Sequence, residues 1–260
     1  MEARSTLHAP EPSVDRFWDL YSRFYDSIYH LMPYRQLLWD TYQALELEPG
    51  MRVLDAGCGT GNLELFISEK AHPPIEIEGI DFSPAMLARA RSKCRELDFA
   101  TFSWCDLGEP LPYPDESFDR IVSVNVLYAL ERRDDLLREL LRVLKPNGRI
   151  VVTSPTPEFS MRPLLVDHIK RFKNIWGLSR RARRVFTSCW VFATSGVGSI
   201  VLNVFVINRR ESEGQYSSLD QPDFEALLER QRPFGLDDVR IAPALVRQNL
   251  FATATKVAAA

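Results

Sequence analysis

The sequence predicts an α/β fold: a doubly wound, mostly parallel sheet of seven strands, with a helical insert before the last elements. Three observations predict it. Short apolar runs at residues 52–55, 75–80, 100–104, 120–124 and 149–153 alternate with segments of helical period, as parallel strands joined by crossover helices do. The first run stops at Asp55 and passes into Ala56-Gly57-Cys58-Gly59-Thr60-Gly61-Asn62, with glycine at alternate positions, before a helical pattern resumes at Leu63. The chain closes with a helical segment at 223–231 and two further strands, 239–242 and 250–256, that read as an antiparallel pair.

The 260 residues suit one large α/β domain with an insertion, or two small domains. A hydrophobic content of 45% is ample for a buried core, and 26% charged residues is ordinary for a soluble chain. The net charge of −3 gives no global attraction to nucleic acid or anionic membrane, so no DNA partner is expected and any such contact has to be local. Cys58, Cys94, Cys105 and Cys189 form no C-x-x-C pair, which indicates neither a zinc site nor a disulfide framework, and no metal is expected. A reducing cytoplasm is the simplest location. The first residues lack the apolar core of a signal peptide.

In chain order, residues 1–12 read as a leader. From 14 to 47 the pattern is helical and aromatic, with Phe17, Trp18, Tyr21, Phe24, Tyr25, Tyr29, Tyr34, Trp39 and Tyr42, and Pro33 should divide it into two helices. Glu48-Pro49-Gly50 turns into the first strand. A strand, tight turn and helix start of this kind lets a ligand approach bare backbone, and the helix at 62–71 aims its dipole at the loop. A phosphate-binding loop would need Lys and Ser/Thr after the last glycine, where Asn62 and Leu63 stand; the dinucleotide pattern would need glycine at 62. The carboxylate of Asp55 at the mouth instead suits a cationic ligand. The second strand ends at Asp81, placed to accept ribose hydroxyls, with Ser83 as N-cap and Pro84 opening the helix at 85–97. Asp81 thus points to a nucleoside in general. The third strand leads to Cys105-Asp106-Leu107, the fourth to Asn125-Val126-Leu127-Tyr128. The helix at 134–144 places Leu136, Leu137, Leu140, Leu141 and Leu144 on one face, and Lys145-Pro146-Asn147-Gly148 turns into the fifth strand.

The D-x-G-x-G-x-G run from Asp55 to Gly61, Asp81, Asp106, the L-P-x-P-D-E-S-F-D run at 111–119 and the L-K-P-x-G run at 144–148 together resemble the class I S-adenosylmethionine-dependent methyltransferases. Within them the chain is similar to small-molecule members such as the ubiquinone and menaquinone biosynthesis enzymes, and the likeness covers residues 50–155. It implies a Rossmann-like fold, S-adenosyl-L-methionine as cofactor, and cofactor contacts from Tyr25, Asp55, Gly57, Cys58, Gly59, Asp81, Phe82, Met86, Asp106, Leu107 and Asn125. Asp106 would accept from the adenine amine while Leu107 packs on the ring. Phe24-Tyr25-Asp26 and Tyr29 resemble the leading helix that lies over the cofactor's methionine end, with Tyr25 facing the methyl group; plain packing of these rings on the sheet is the alternative. Two departures stand out: the insertion Gly108-Glu109-Pro110 disturbs the adenine loop, and Val126-Leu127 replaces the prolines of the N-P-P-Y type, which argues against an exocyclic nucleobase amine as acceptor.

The division that follows is a lid at 1–48, a cofactor-binding core at 49–155, a cap or insert at 156–216, and a closing helix and strand pair at 217–260. The insert is basic in its first half, including Lys170, Arg171, Lys173, Arg180, Arg181, Arg183 and Arg184, and carries no charge from 185 to 207. Three readings of it stay open: a membrane span, a cap or homodimerisation element over the cleft, and an interfacial segment giving peripheral membrane contact through 162–210. The expected activity is methyl transfer to a small, partly apolar or lipid-like acceptor by in-line displacement. RNA or protein methylation guided by the 170–184 run, and a cofactor-binding scaffold without transfer, are the alternatives. A hydroxyl acceptor would require a base, for which Tyr25, Tyr29, His30, Tyr128 and His168 are candidates, each with packing or exposure as its ordinary explanation.

Overall fold

The computed structural model describes residues 22, 25–175 and 217–257. After a short 3-10 segment, Asp26–His30, the elements run α1 Met32–Leu45, β1 Arg52–Ala56, α2 Asn62–Ser68, β2 Glu76–Asp81, α3 Pro84–Lys93, β3 Ala100–Trp104, β4 Phe118–Val124, α4 Arg133–Val143, β5 Leu144–Pro155, α5 Met161–Ile175, α6 Gln221–Glu229, β6 Leu236–Ala244 and β7 Asn249–Lys256. The sheet order is β3-β2-β1-β4-β5-β7-β6. β1 to β5 pair in parallel, and β7 is antiparallel to both β5 and β6. The strand order reverses between β1 and β4. At such a switch point the crevice beyond the carboxyl ends of the strands takes the ligand.

Alternation along β1 divides the core into two. Leu54 and Ala56 join Ile121, Leu136, Leu137, Leu140, Leu141, Phe224 and Leu227 on the face covered by α4 and α6. Val53 joins Val122 and Val151 with Leu37, Leu38, Phe66 and Ile67 on the face covered by α1 and α2. Successive strand residues point to opposite faces, so a central strand must be apolar throughout, and Val53 and Leu54 are both fully buried. The leucine face read from the sequence of α4 is the face that packs; each such side chain contributes roughly 1.5–3 kcal/mol on burial.

Pro33 falls in the first turn of α1, where its missing N–H is harmless, and Leu31 is extended ahead of it. The Ser83 hydroxyl accepts from Met86 N at 3.3 Å, and Asp220 caps α6 by accepting from Asp223 N at 2.9 Å. The turn expected at 145–148 is instead part of β5. Leu144 pairs with Phe118 and the register shifts before Arg120, so Lys145 to Gly148 form a bulge with Asn147 at φ 59°. Gly148 serves close approach there, since a Cβ would lie 2.6 Å from Leu144 Cδ1 and 2.7 Å from the Lys145 carbonyl. α2 stops at Ser68, short of the expected Ala71: Lys70 N bonds the Ile67 carbonyl and Ser68 Oγ the Leu65 carbonyl, tightening the last turn.

The motif run at 111–119 is held by α4. Arg142 donates to the carbonyls of Leu111 and Tyr113 and to Asp115, while Glu139 accepts from Leu111 N. Asp119 accepts from Arg52 N at 2.9 Å and from Lys145. α5 lies on α1: Leu164 is buried, Met32 N donates to His168 Nδ1 at 3.1 Å, and Arg171 reaches Asp167 and Gln36. Phe17, Trp18, Tyr21, Phe24, Arg180 to Arg184 and the uncharged stretch 185–207 lie outside the described residues. Among the described residues no helix is long and apolar enough to cross a membrane.

Candidate active site

The glycine loop hangs from the end of β2. Gly57 N and Cys58 N both donate to the Ile80 carbonyl, at 2.8 and 3.0 Å. Gly57 has φ 88°, and a Cβ there would lie 2.2 Å from Val126 Cγ2, so both backbone angle and space require glycine. At Gly59 a Cβ would meet only Tyr25 Cε1, at 3.8 Å: the ring of the amino-terminal segment faces bare loop backbone. Asp81 fastens this arrangement. Its Oδ2 accepts from Gly59 N at 2.9 Å and its Oδ1 from Ser83 N at 2.8 Å. The carboxyl is 8% exposed, and burial pushes its pKa up to about 6 against the opposing backbone N–H bonds. Phe82 N acts on the same carboxyl, and of its roughly four lone-pair sites at least one is left for a further donor.

Beside Asp81 the Phe82 ring is 42% exposed, its carbonyl held by Trp104 Nε1 at 2.8 Å. Asp106, just beyond β3, is exposed and accepts from Gly108 N at 2.9 Å, with Leu107 buried next to it. The strand ends therefore gather Asp55, Gly57, Gly59, Asp81, Phe82 and Asp106 on one rim. Two of the expected contact residues have side chains engaged within the fold. Cys58 packs with Leu87, Ala90, Cys94 and Phe102, and burial raises its thiol pKa well above the ordinary range. The side chain of Asn125 is committed to Thr153 Oγ1 at 2.9 Å and to Asn249 Nδ2, so it ties β4 to β5 and β7. Met86 is buried at the start of α3.

Polar groups to which the sequence reading gave no part in holding the loop complete its underside. Lys93 Nζ donates to Asp26 Oδ1 at 2.7 Å, Thr60 Oγ1 at 3.1 Å and Asn62 Oδ1 at 2.6 Å, and Thr60 Oγ1 donates to Asp26 Oδ1 at 2.6 Å. Asp26 thereby latches the segment bearing Tyr25 onto the glycine loop. Tyr34 is buried below, its hydroxyl interacting with Tyr25 and Asn62 and its pKa pushed up to about 12 by burial. Glu64, in the first turn of α2, is fully buried and interacts with Asp55. Its signal in sequence was a charge inside the apolar stripe Leu63, Phe66, Ile67.

The base candidates separate. Tyr25 stands at the loop and Tyr128, buried, at the 3-10 turn Leu127–Ala129 after β4. Tyr29 donates to Glu69, which also pairs with Arg35, and both its burial and that bond raise its pKa. His30 is exposed and stacks edgewise on Tyr29. His168 accepts from a backbone N–H through Nδ1, and burial lowers its pKa. Tyr29 and His168 are thus joints between helices. Among the described residues no cluster of His, Cys, Asp and Glu could hold a metal.

Fold and site together define a nucleoside-binding type of α/β domain, with acidic groups around its glycine loop. The chain belongs to the methyltransferase domain family, whose model matches residues 47–209. It is 33% identical over 143 residues to a ubiquinone/menaquinone biosynthesis C-methyltransferase of Geobacter sulfurreducens, covering 53% of this chain and 56% of that protein. It is 39% identical over 108 residues to a demethylmenaquinone methyltransferase of Tropheryma whipplei, covering 42% and 43%. The chain thus spans about half the length of the curated relatives it matches. A SAM-dependent methyltransferase from Aquifex aeolicus superposes with a TM-score of 0.55 at 16% identity, over 89% of this chain and 93% of that one. That likeness bears on the fold, and the expected doubly wound sheet and family are both borne out.

Proposed function

We propose that this chain binds S-adenosyl-L-methionine and passes its methyl group to a small acceptor with considerable apolar surface. The observation that carries the reading is the glycine loop fixed to Asp81, with the Tyr25 ring over Gly59 and acidic groups beneath. The residues fit the cofactor: Asp81 retains lone-pair capacity for a ribose hydroxyl, Phe82 offers an exposed ring and Asp106 an exposed carboxylate for the adenine, and Asp55 Oδ1 is a buried acceptor without a donor for the ammonium. When bound, the cofactor supplies an electrophilic methyl on a sulfonium.

The protein's part is then to hold acceptor and methyl donor in line in a site kept dry by the Tyr25 segment, which the Asp26–Lys93 pair fastens to the loop. Relatives named as quinone methyltransferases support an acceptor with an apolar body. The proposal includes a cytoplasmic protein with peripheral membrane contact through 162–210, where a lipophilic acceptor would be met. A lid at 1–48 and a cap at 156–216 belong to the same reading, as does homodimerisation through the insert.

The test is transfer of tritiated methyl from S-adenosylmethionine to a panel of quinols, phenols, fatty acids and RNA, with and without anionic vesicles. Label in an organic-extractable small acceptor supports the proposal. Label in RNA or protein would favour the basic 170–184 run, and cofactor binding with no transfer at all would favour a scaffold.

A further inference from the structure

Beneath the glycine loop two carboxyls meet away from water. Asp55 lies near the end of β1 and Glu64 in the first turn of α2, so the chain reversal at the loop turns them toward each other. Asp55 is 3% exposed and Glu64 0%. Among the described residues no side-chain donor bonds Asp55 Oδ1 or either Glu64 oxygen, and only the backbone N–H of Glu64 itself acts on its carboxyl. Two acceptors facing each other without a side-chain donor are satisfied by one proton held between them, as in other carboxyl dyads.

The charged and titratable neighbours do not remove this need. Asp81 from β2 adds a like charge, and Cys58, Cys94 and Tyr34 are neutral groups held so by burial. The Lys93 ammonium from α3 acts on Glu64 through space but spends its hydrogen bonds on Asp26, Thr60 and Asn62. Asp26 is already bonded to Lys93 and Thr60.

We propose that Asp55 and Glu64 share a single proton in the ligand-free protein and release it to solvent when the ammonium end of the cofactor enters, making the pair the element that selects a cationic ligand. The inference rests on the methyltransferase reading and adds Glu64 as a specificity determinant. Charge balances: one ammonium arrives, one proton leaves, and the buried site keeps its net charge. Burial raises both carboxyls, Asp55 well above the ordinary carboxylate range, so the ligand-free pair still holds its proton at neutral pH. An uncharged nucleoside such as adenosine would bring no cation and displace no proton.

Calorimetric titration of the whole protein with S-adenosylhomocysteine, which keeps the ammonium and lacks the sulfonium, tests this in two buffers of different ionisation enthalpy near neutral pH. The expected result is release of close to one proton per ligand, with affinity rising up to tenfold per pH unit in that range, as release of one proton requires. Adenosine should show the same heat in both buffers. Glu64→Gln, whose amide donates to Asp55, should still bind S-adenosylhomocysteine but release no proton. Buffer-independent heat in the wild type overturns the inference while leaving the cofactor reading intact. Proton release that survives Glu64→Gln also overturns it and leaves the titrating group at Asp55 or Asp81 alone. Absence of any binding would instead overturn the cofactor reading and, with it, the inference. The wild-type comparison stands even where the variant fails to fold.

Discussion

Replacing Gly57 by alanine puts a methyl group 2.2 Å from Val126 Cγ2, on a backbone at φ 88°. The two costs are separable. The left-handed angle costs a side-chain-bearing residue roughly 1–2 kcal/mol, whatever its surroundings. The collision adds about 1–3 kcal/mol, as overpacking does, because a valine is stiff at χ1 and its Cβ would itself lie 3.3 Å from the new atom. Gly57→Ala should therefore lose roughly 2–5 kcal/mol in urea unfolding. Val126→Ala removes the colliding methyls, so the double variant should recover the collision part alone, a coupling of about 1–3 kcal/mol. Binding of S-adenosylhomocysteine should weaken by tenfold or more in the single variant, since Gly57 N and Cys58 N hang the loop on Ile80. A Gly57→Ala protein of wild-type stability, or one whose loss is untouched by Val126→Ala, would refute the reasoning.

Other outcomes follow from the same contacts. The ligand-free protein carries Asp81 with its folded pKa raised to about 6 and the buried Asp55–Glu64 pair raised above the ordinary carboxylate range, so from about pH 4 upward, until these groups titrate, the folded state binds more protons than the unfolded state. Their contribution to stability falls as pH rises through that window. Glu64→Gln should remove its share of the fall and be more stable than wild type at pH 8; a difference in urea midpoint of the opposite sign would contradict it. Arg142→Ala leaves the carbonyls of Leu111 and Tyr113 without a donor and should cost roughly 1–3 kcal/mol, with Arg142→Lys recovering little. His168→Ala should lower the thermal midpoint by releasing α5 from Met32 N, while the pH dependence of turnover stays unchanged; a lost pH limb would make His168 the base.

What the sequence revealed and what it withheld divide along a physical line. Asp55, Asp81 and Asp106 were legible because a parallel sheet presents the residues at its strand ends to one crevice, and alternation fixes where a strand ends. The leucine face of α4 was legible for the same local reason. The partners of Asn125 and His168 were not, since Asn249 and Met32 lie 124 and 136 residues away in the chain and no local pattern joins them. The bulge at Asn147 looked like a turn because Pro and Gly mark both. Glu64 was passed over because a single charge in an amphipathic helix usually faces water, and only its packing against Asp55 shows otherwise.

The central claim is that the loop and Asp81 form a nucleoside site for a methyl donor, and equilibrium binding of S-adenosylmethionine to wild type and to Asp81→Ala tests it most directly. Asp81→Ala removes the acceptor that joins Gly59 N to Ser83 N and the acceptor left for the ribose. Micromolar binding to the wild type and a loss of about a hundredfold or more in the variant, with its fold retained by circular dichroism, is the predicted result, as expected for two lost hydrogen bonds to a charged group. Equal affinity in both proteins, or none in the wild type, would contradict the account.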